Sequence, residues 1–199
     1  MGILKDTRIV KRNTNSQKVF ENLLDSQPFT EIEYDTPCDY IRKYWEAYKA
    51  LNISNNSLNG NIFELIVYTL LYREGILPFY VQASVAFVPG VVYDTILYSR
   101  EKPISLSLKT SLRERFKQAD LEAIALKYVH RKSECYLLTL DEDEANSVNS
   151  KIKEGTAIGL NKAINCLSDD INGFVEYLKK FEFCNAGQIE IIEGRLIEG

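Results

Sequence analysis

Between residues 104 and 129 the hydrophobic period of this chain changes once, and that change limits what can stand on either side of it. In "ISLSLK" (104 to 109), Ile104, Leu106 and Leu108 alternate with Ser105, Ser107 and Lys109, the period of a strand with two different faces. From Ser111 the apolar residues Leu112, Phe116, Ala119, Ala123 and Leu126 recur at three and four, which is one face of a helix reaching about Val129. "ECYLLTL" (134 to 140) then reads as a buried strand. A strand that runs into an amphipathic helix and on into another strand calls for a sheet covered by helices.

The rest of the chain fits that frame. Residues 5 to 25 carry a weak helical pattern stopped by Pro28, and 38 to 51 place Tyr40, Ile41, Tyr44, Trp45 and Tyr48 at helical spacing. The polar stretch 52 to 61 reads as a loop, and 62 to 75 as an apolar helix closed by Gly75. Extended segments are expected at 79 to 88 and 91 to 99. Beyond the buried strand come a helix from 141 to 155 with Asp141 as N-cap, a short strand at 156 to 160 and a closing helix at 170 to 181. The predicted fold class is α/β, a mixed central sheet flanked by helices. One domain is expected over 1 to 199, with a helical N-terminal part (1 to 58) and a core at 60 to 180.

Composition removes several function classes. The chain is 45% hydrophobic and 26% charged with a net charge of −4, so bulk polyanion binding is disfavoured while a local basic groove is not. His130 is the single histidine, and the four cysteines, Cys38, Cys135, Cys166 and Cys184, form no CxxC pair. A zinc site, a disulfide frame or a histidine-dependent nucleophile is therefore not expected, and any metal must be held by oxygen. No apolar run reaches membrane-spanning length and no signal-peptide core is visible, so a cytoplasmic protein is expected.

Four residues suggest chemistry. The turn near 99 to 104 predicts an antiparallel hairpin with Asp94 opposite Lys109, within one residue of register. An acid and a lysine on adjacent strand ends suit phosphodiester chemistry: the carboxylate holds a divalent cation, while the lysine orients or helps deprotonate water and offsets phosphate charge. A surface cross-strand ion pair is the plain alternative. Glu122 lies on the helix that leaves Lys109, sharing a face with Arg115, seven residues before it. Glu64 is the only charge within "NIFELIVYTLL", where it must be paired, metal-bound or turned out to solvent, unless it is an acid of the helix's first turn.

"GNIFE", "VVYD" and "SLSLK", in that order, resemble the core of PD-(D/E)XK nucleases over about residues 60 to 180. The acid that this pattern puts two residues before the lysine is Ser107 here. One branch of the type II restriction endonucleases, which cuts CCGG and the interrupted CC-N-GG or CC-W-GG sites, carries Ser or Thr there and its metal-binding acid on the next helix. "KTSLRERFKQADLEA" is similar to the motif of the interrupted-site members, including Glu122 thirteen after Lys109, with Phe116 for the commoner Trp. The resemblance implies that Asp94 and Glu122 bind Mg²⁺, that Lys109 acts on the water, that Glu64 supports the site and that Ser107 is a spectator. It further implies that Arg113, Glu114 and Arg115 read C·G pairs. The chemistry agrees, since arginine bonds guanine O6 and N7 and glutamate accepts from the cytosine amino group. Ser111 and Lys117 are weaker candidates for the DNA backbone.

The expected function is a type II restriction endonuclease making Mg²⁺-dependent double-strand breaks at a short palindromic C/G-containing site. A palindrome implies a homodimer, and survival of the host implies a cognate cytosine methyltransferase as genetic partner. Two alternatives stand beside it: another nuclease of the same fold acting in repair or on DNA structure, and a catalytically dead DNA-binding protein, which Ser107 favours. The acids at 141 to 144 read as helix-start residues, the basic group Lys5, Arg8, Lys11, Arg12 and Lys18 as a solvated face, and Trp45 as core.

Overall fold

Lys109 is the last residue of a strand, and the chain leaves the sheet there. A computed structural model describes residues 3–10, 14–25, 27–53, 55–112, 115–187 and 191–199. Its helices are α1 (Ile3–Asp6), α2 (Asn15–Leu23), α3 (Pro37–Ala50), α4 (Asn56–Arg73), α5 (Arg115–Val129), α6 (Glu142–Lys153) and α7 (Asp170–Leu178). Its strands are β1 (Phe79–Val85), β2 (Tyr93–Leu97), β3 (Ile104–Lys109), β4 (Glu134–Thr139), β5 (Lys162–Asn165) and β6 (Ile191–Ile197).

The six strands form one mixed sheet in the order β5-β4-β3-β2-β1-β6. β2 lies antiparallel to β1 and to β3, and β6 antiparallel to β1. β3, β4 and β5 are parallel, as strands joined by the crossover helices α5 and α6 can be. Strand alternation gives the sheet two apolar faces. Phe79, Val81, Leu97, Leu106, Leu108 and Leu138 join the core built with α2, α3, α4 and α7. Tyr80, Ile96, Cys135, Leu137 and Ala163 join the core under α5 and α6. Leu112, Ala119, Ala123 and Leu126 form the buried stripe of α5, as their spacing requires. α4 is buried nearly all round because α2 and α3 cover the side that the sheet does not. Trp45 packs on this core, its ring centroid 5.4 Å from that of Tyr48.

Several boundaries differ from the sequence expectation. Residues 56 to 61 are the first turns of α4 and not a loop, because the Asn55 side chain accepts from Leu58 N–H and caps the helix there. Glu64 therefore sits in the third turn, not the first. The helical stretch 5 to 25 is two helices, separated by Arg8 at positive φ and restarted by Thr14, which accepts from Gln17 N–H. Residues 156 to 160 do not form a strand. Asp120 takes the N–H groups of Ile158, Gly159 and Leu160 at 3.2, 2.8 and 3.0 Å, and the strand follows at Lys162–Asn165. β6 was not anticipated, and it extends the sheet beyond residue 180. Asp141 caps α6 by accepting from Glu144 N–H. Among the described residues no helix is long and apolar enough to cross a membrane.

Candidate active site

The β2–β3 ladder pairs Leu97 with Ile104, Ile96 with Ser105 and Thr95 with Leu106. One step further places Asp94 across from Ser107, so the expected opposition of Asp94 and Lys109 is two residues out. Two residues is one full strand period, so Lys109 stays on the same face as Ser107 and its long stem spans the offset. Lys109 Nζ lies 2.8 Å from Asp94 Oδ2. That oxygen also accepts the Leu108 N–H at 2.8 Å and faces Ser107 Oγ at 3.5 Å. The side chains of Lys109 and Asp94 are 17% and 15% exposed, so water screens the pair poorly.

Tyr68 carries α4 to this pair. Its hydroxyl donates to the Asp94 carbonyl at 3.1 Å and lies 3.4 Å from Glu64 Oε2. Glu64 is thereby held beside Asp94. Burial, reinforced by the Asp94 carboxylate, pushes the Glu64 carboxyl up to about 7, against the pull of Lys109, Tyr68 and Arg195. A carboxyl that changes charge near neutrality is suited to moving protons.

Glu122 approaches from the other face of the sheet on α5, which Tyr93 fixes by donating its hydroxyl to the Glu122 carbonyl at 3.0 Å. Its carboxyl accepts from Gln118 Nε2 at 2.8 Å. Burial raises its pKa, Gln118 and Lys109 lower it, and Asp94 raises it. Asp94, Ser107 and Glu122 line one gap of about 10 Å³, on the order of a single water-sized sphere. Two partly buried carboxylates that repel across so small a gap are the arrangement a divalent cation relieves. Among the described residues no group of three or more His, Cys, Asp or Glu side chains could hold a metal ion. Mg²⁺ usually takes one or two carboxylates and completes its shell with water and substrate oxygens, and Asp94 and Glu122 are the residues here that would hold it.

The structure thus sets Lys109 against Asp94, with Ser107 Oγ 3.5 Å from the same carboxylate and with Glu64 and Glu122 electrostatically coupled to the pair from two helices. Arg113 and Glu114 lie outside the described residues. Arg115 opens α5, exposed, and donates to Ser111 Oγ at 3.2 Å, while Lys117 is exposed one position beyond Phe116. Glu144, from the acidic helix start, accepts the Leu112 N–H at 2.5 Å and so anchors the turn into α5. Of the basic N-terminal group, Arg8 and Lys18 are exposed, Lys5 is half-buried, and Lys11 and Arg12 lie outside the described residues. Cys38, Cys135 and Cys166 are buried free thiols and Cys184 a half-buried one.

Two contributors escaped the sequence reading. Tyr68 sits in an apolar run with nothing to mark its hydroxyl, apart from its position one turn after Glu64. Arg195 reaches the site only because β6 pairs with β1, where Arg195 stands across from Val81. No family model, no curated protein and no solved structure matches this chain.

Proposed function

We propose that this protein is a Mg²⁺-dependent type II restriction endonuclease that cuts double-stranded DNA at a short palindromic C/G-containing site. The observation that carries the reading is the Asp94–Lys109 contact, with Glu64 and Glu122 electrostatically coupled to it from two different helices. Acids whose pKa values are raised, coupled to a lysine at a strand end, suit hydrolysis of a charged diester. The resemblance of residues 109 to 123 to the interrupted-site endonucleases supplies the substrate class.

In the reaction, water adds to phosphorus, the bond from phosphorus to the 3′ oxygen breaks, and the products are a 5′-phosphate and a 3′-hydroxyl. Lys109 orients the attacking water and offsets the charge gathering on the phosphate oxygens. Glu64 accepts the proton that the water loses, and the departing 3′ oxygen gains one from solvent. Mg²⁺, held by Asp94 and Glu122, would supply Lewis-acid polarisation of the phosphoryl oxygen. Arg113, Glu114 and Arg115 read the C·G pairs, and Ser111 and Lys117 meet the DNA backbone. A two-fold site requires a homodimer with one active site per strand, and the host requires a cytosine methyltransferase of matching specificity.

The test is incubation of the purified protein with unmethylated plasmid and phage DNA, with Mg²⁺ or with EDTA, followed by sequencing of the ends. Discrete Mg²⁺-dependent fragments sharing a C/G palindrome are expected. Cleavage without sequence preference would retain the site and remove the base-reading role, leaving a repair or structure-specific nuclease. No cleavage with Mg²⁺ or Mn²⁺ would overturn the enzyme reading in favour of a DNA-binding protein with Ser107 marking a lost acid.

A further inference from the structure

Glu64 also lines a second cavity, of about 330 Å³, together with Thr14, Ser16, Asn61, Tyr68 and Arg195. That volume is at the lower end of what holds a small ligand. Arg195 is delivered there from β6, and its Nε is buried with no hydrogen-bond partner among the described residues. A guanidinium in the lining of a cavity supplies a fixed set of N–H donors and no acceptor, so it favours an anionic occupant. Its neighbours suit the same ligand. The hydroxyls of Thr14 and Ser16, 3.0 Å from one another, and the Asn61 amide offer neutral donors that can turn toward an oxyanion.

The geometry points to a phosphate subsite in this cavity, with Arg195 as its principal donor and a nucleic-acid phosphate next to the one being cut as its occupant. A planar guanidinium suits two oxygens of a phosphate. The cavity shares Glu64 and Tyr68 with the candidate active site, and Tyr68 donates to the Asp94 carbonyl. A phosphate bound there therefore registers the strand against Asp94 and Lys109. Ionised Glu64 would oppose that phosphate, and the Arg195 charge beside it offsets the repulsion. This deepens the nuclease reading and rests on it for the nature of the occupant; the capacity to bind phosphate does not.

The experiment follows the arginine Nε–H resonances of the whole protein by NMR, in EDTA. The probes are inorganic phosphate and a 5′-phosphorylated thymidine dinucleotide. The Arg195 resonance is assigned by its loss in Arg195→Lys. It is expected to shift with both probes and to saturate at lower dinucleotide than phosphate concentration. Arg195→Ala should weaken dinucleotide binding about tenfold or more, the share expected of a lost charged hydrogen bond. Arg195→Lys should fall between, and Lys153→Ala, on the exposed surface of α6, should bind as the wild type does. An Arg195 resonance unmoved by either probe, or Arg195→Ala binding as tightly as wild type, would overturn the subsite. Saturation by inorganic phosphate alone would overturn the nucleic-acid occupant. Because no cleavage enters these measurements, a protein that binds at Arg195 but cuts nothing refutes the nuclease reading and leaves the phosphate site standing.

Discussion

Lys109 Nζ and the Leu108 N–H both lie 2.8 Å from Asp94 Oδ2, so one carboxylate oxygen is held from a side chain and from the backbone of the neighbouring strand. Asp94→Asn keeps the backbone bond but removes the charge that Lys109 and a cation both need. Cleavage should fall by about 10²-fold or more in Asp94→Asn and in Lys109→Ala, the scale set by losing one acid–base or charge-stabilising group. Specific DNA binding should persist. Single-turnover cleavage beside equilibrium binding checks this, and loss of both in parallel would mean that the pair only holds the fold.

Glu64 links chemistry to stability. Its carboxyl is raised from the ordinary 4.5 to about 7 in the folded chain. The folded state therefore holds a proton that the unfolded state has lost across that interval, and stability falls as pH rises through it. Glu64→Gln carries no such charge. In EDTA it should match the wild type below pH ~4.5 and exceed it by up to about 3 kcal/mol above pH ~7. Urea denaturation across that range measures the gap, and a gap independent of pH would show that Glu64 is not held in the way described. Cleavage by the wild type should instead rise with pH through about 7, as the base form is gained.

Glu122 should govern metal affinity. Glu122→Gln is expected to weaken Mg²⁺ binding at least about tenfold, since one of two carboxylate ligands is lost. Burial holds the Glu122 carboxyl above its ordinary range, so Mg²⁺ binding should strengthen as pH climbs through that raised range. The Gln118 hydrogen bond pulls the same carboxyl down, so Gln118→Ala should move the pH dependence upward. Calorimetric titration at several pH values would reveal both effects, and a wild-type affinity in Glu122→Gln would remove Glu122 from the metal.

Asp120 is a structural acid two residues before Glu122. It is 8% exposed and takes the three N–H groups of Ile158, Gly159 and Leu160. Asp120→Ala would strand those donors and should cost about 3 kcal/mol or more. A Cβ at Gly159 would collide with the Asp120 carbonyl oxygen and lie 2.8 Å from Ile124 N, so Gly159→Ala should be destabilising on a similar scale. Chemical denaturation is the measurement. A small loss in both variants would mean that α5 is held to the sheet mainly by its apolar stripe.

The parts of the fold legible in the sequence are those where side-chain period and burial agree. β3 lies where the alternation of Ile104, Leu106 and Leu108 puts it, and the α5 stripe buries where Leu112 to Leu126 require. Illegible were the places where one polar side chain decides. Asn55 turns a polar stretch into helix, and Asp120 keeps residues 156 to 160 out of a ladder. β6 was hidden for a different reason: its Ile residues are interrupted by Glu193, Gly194 and Arg195, which give no clean alternation. Within the site, Glu64, Asp94 and Lys109 stood out because charge is rare on their elements, and Glu122, on a helix rich in charge, through its spacing from Lys109. Arg195 did not, because its neighbours are more than a hundred residues away in the chain and only the β1–β6 pairing brings them together.

Leu108 has a use of its own in a map of mutational tolerance. Its side chain is 4% exposed in the core beneath α4, while its N–H clamps Asp94 on the opposite face. Every residue except proline carries that N–H, so substitutions here vary the packing and leave the clamp in place. A saturation library at position 108 should therefore rank by apolar volume alone, and its proline member would be the one substitution that removes the clamp from the acid's side of the sheet.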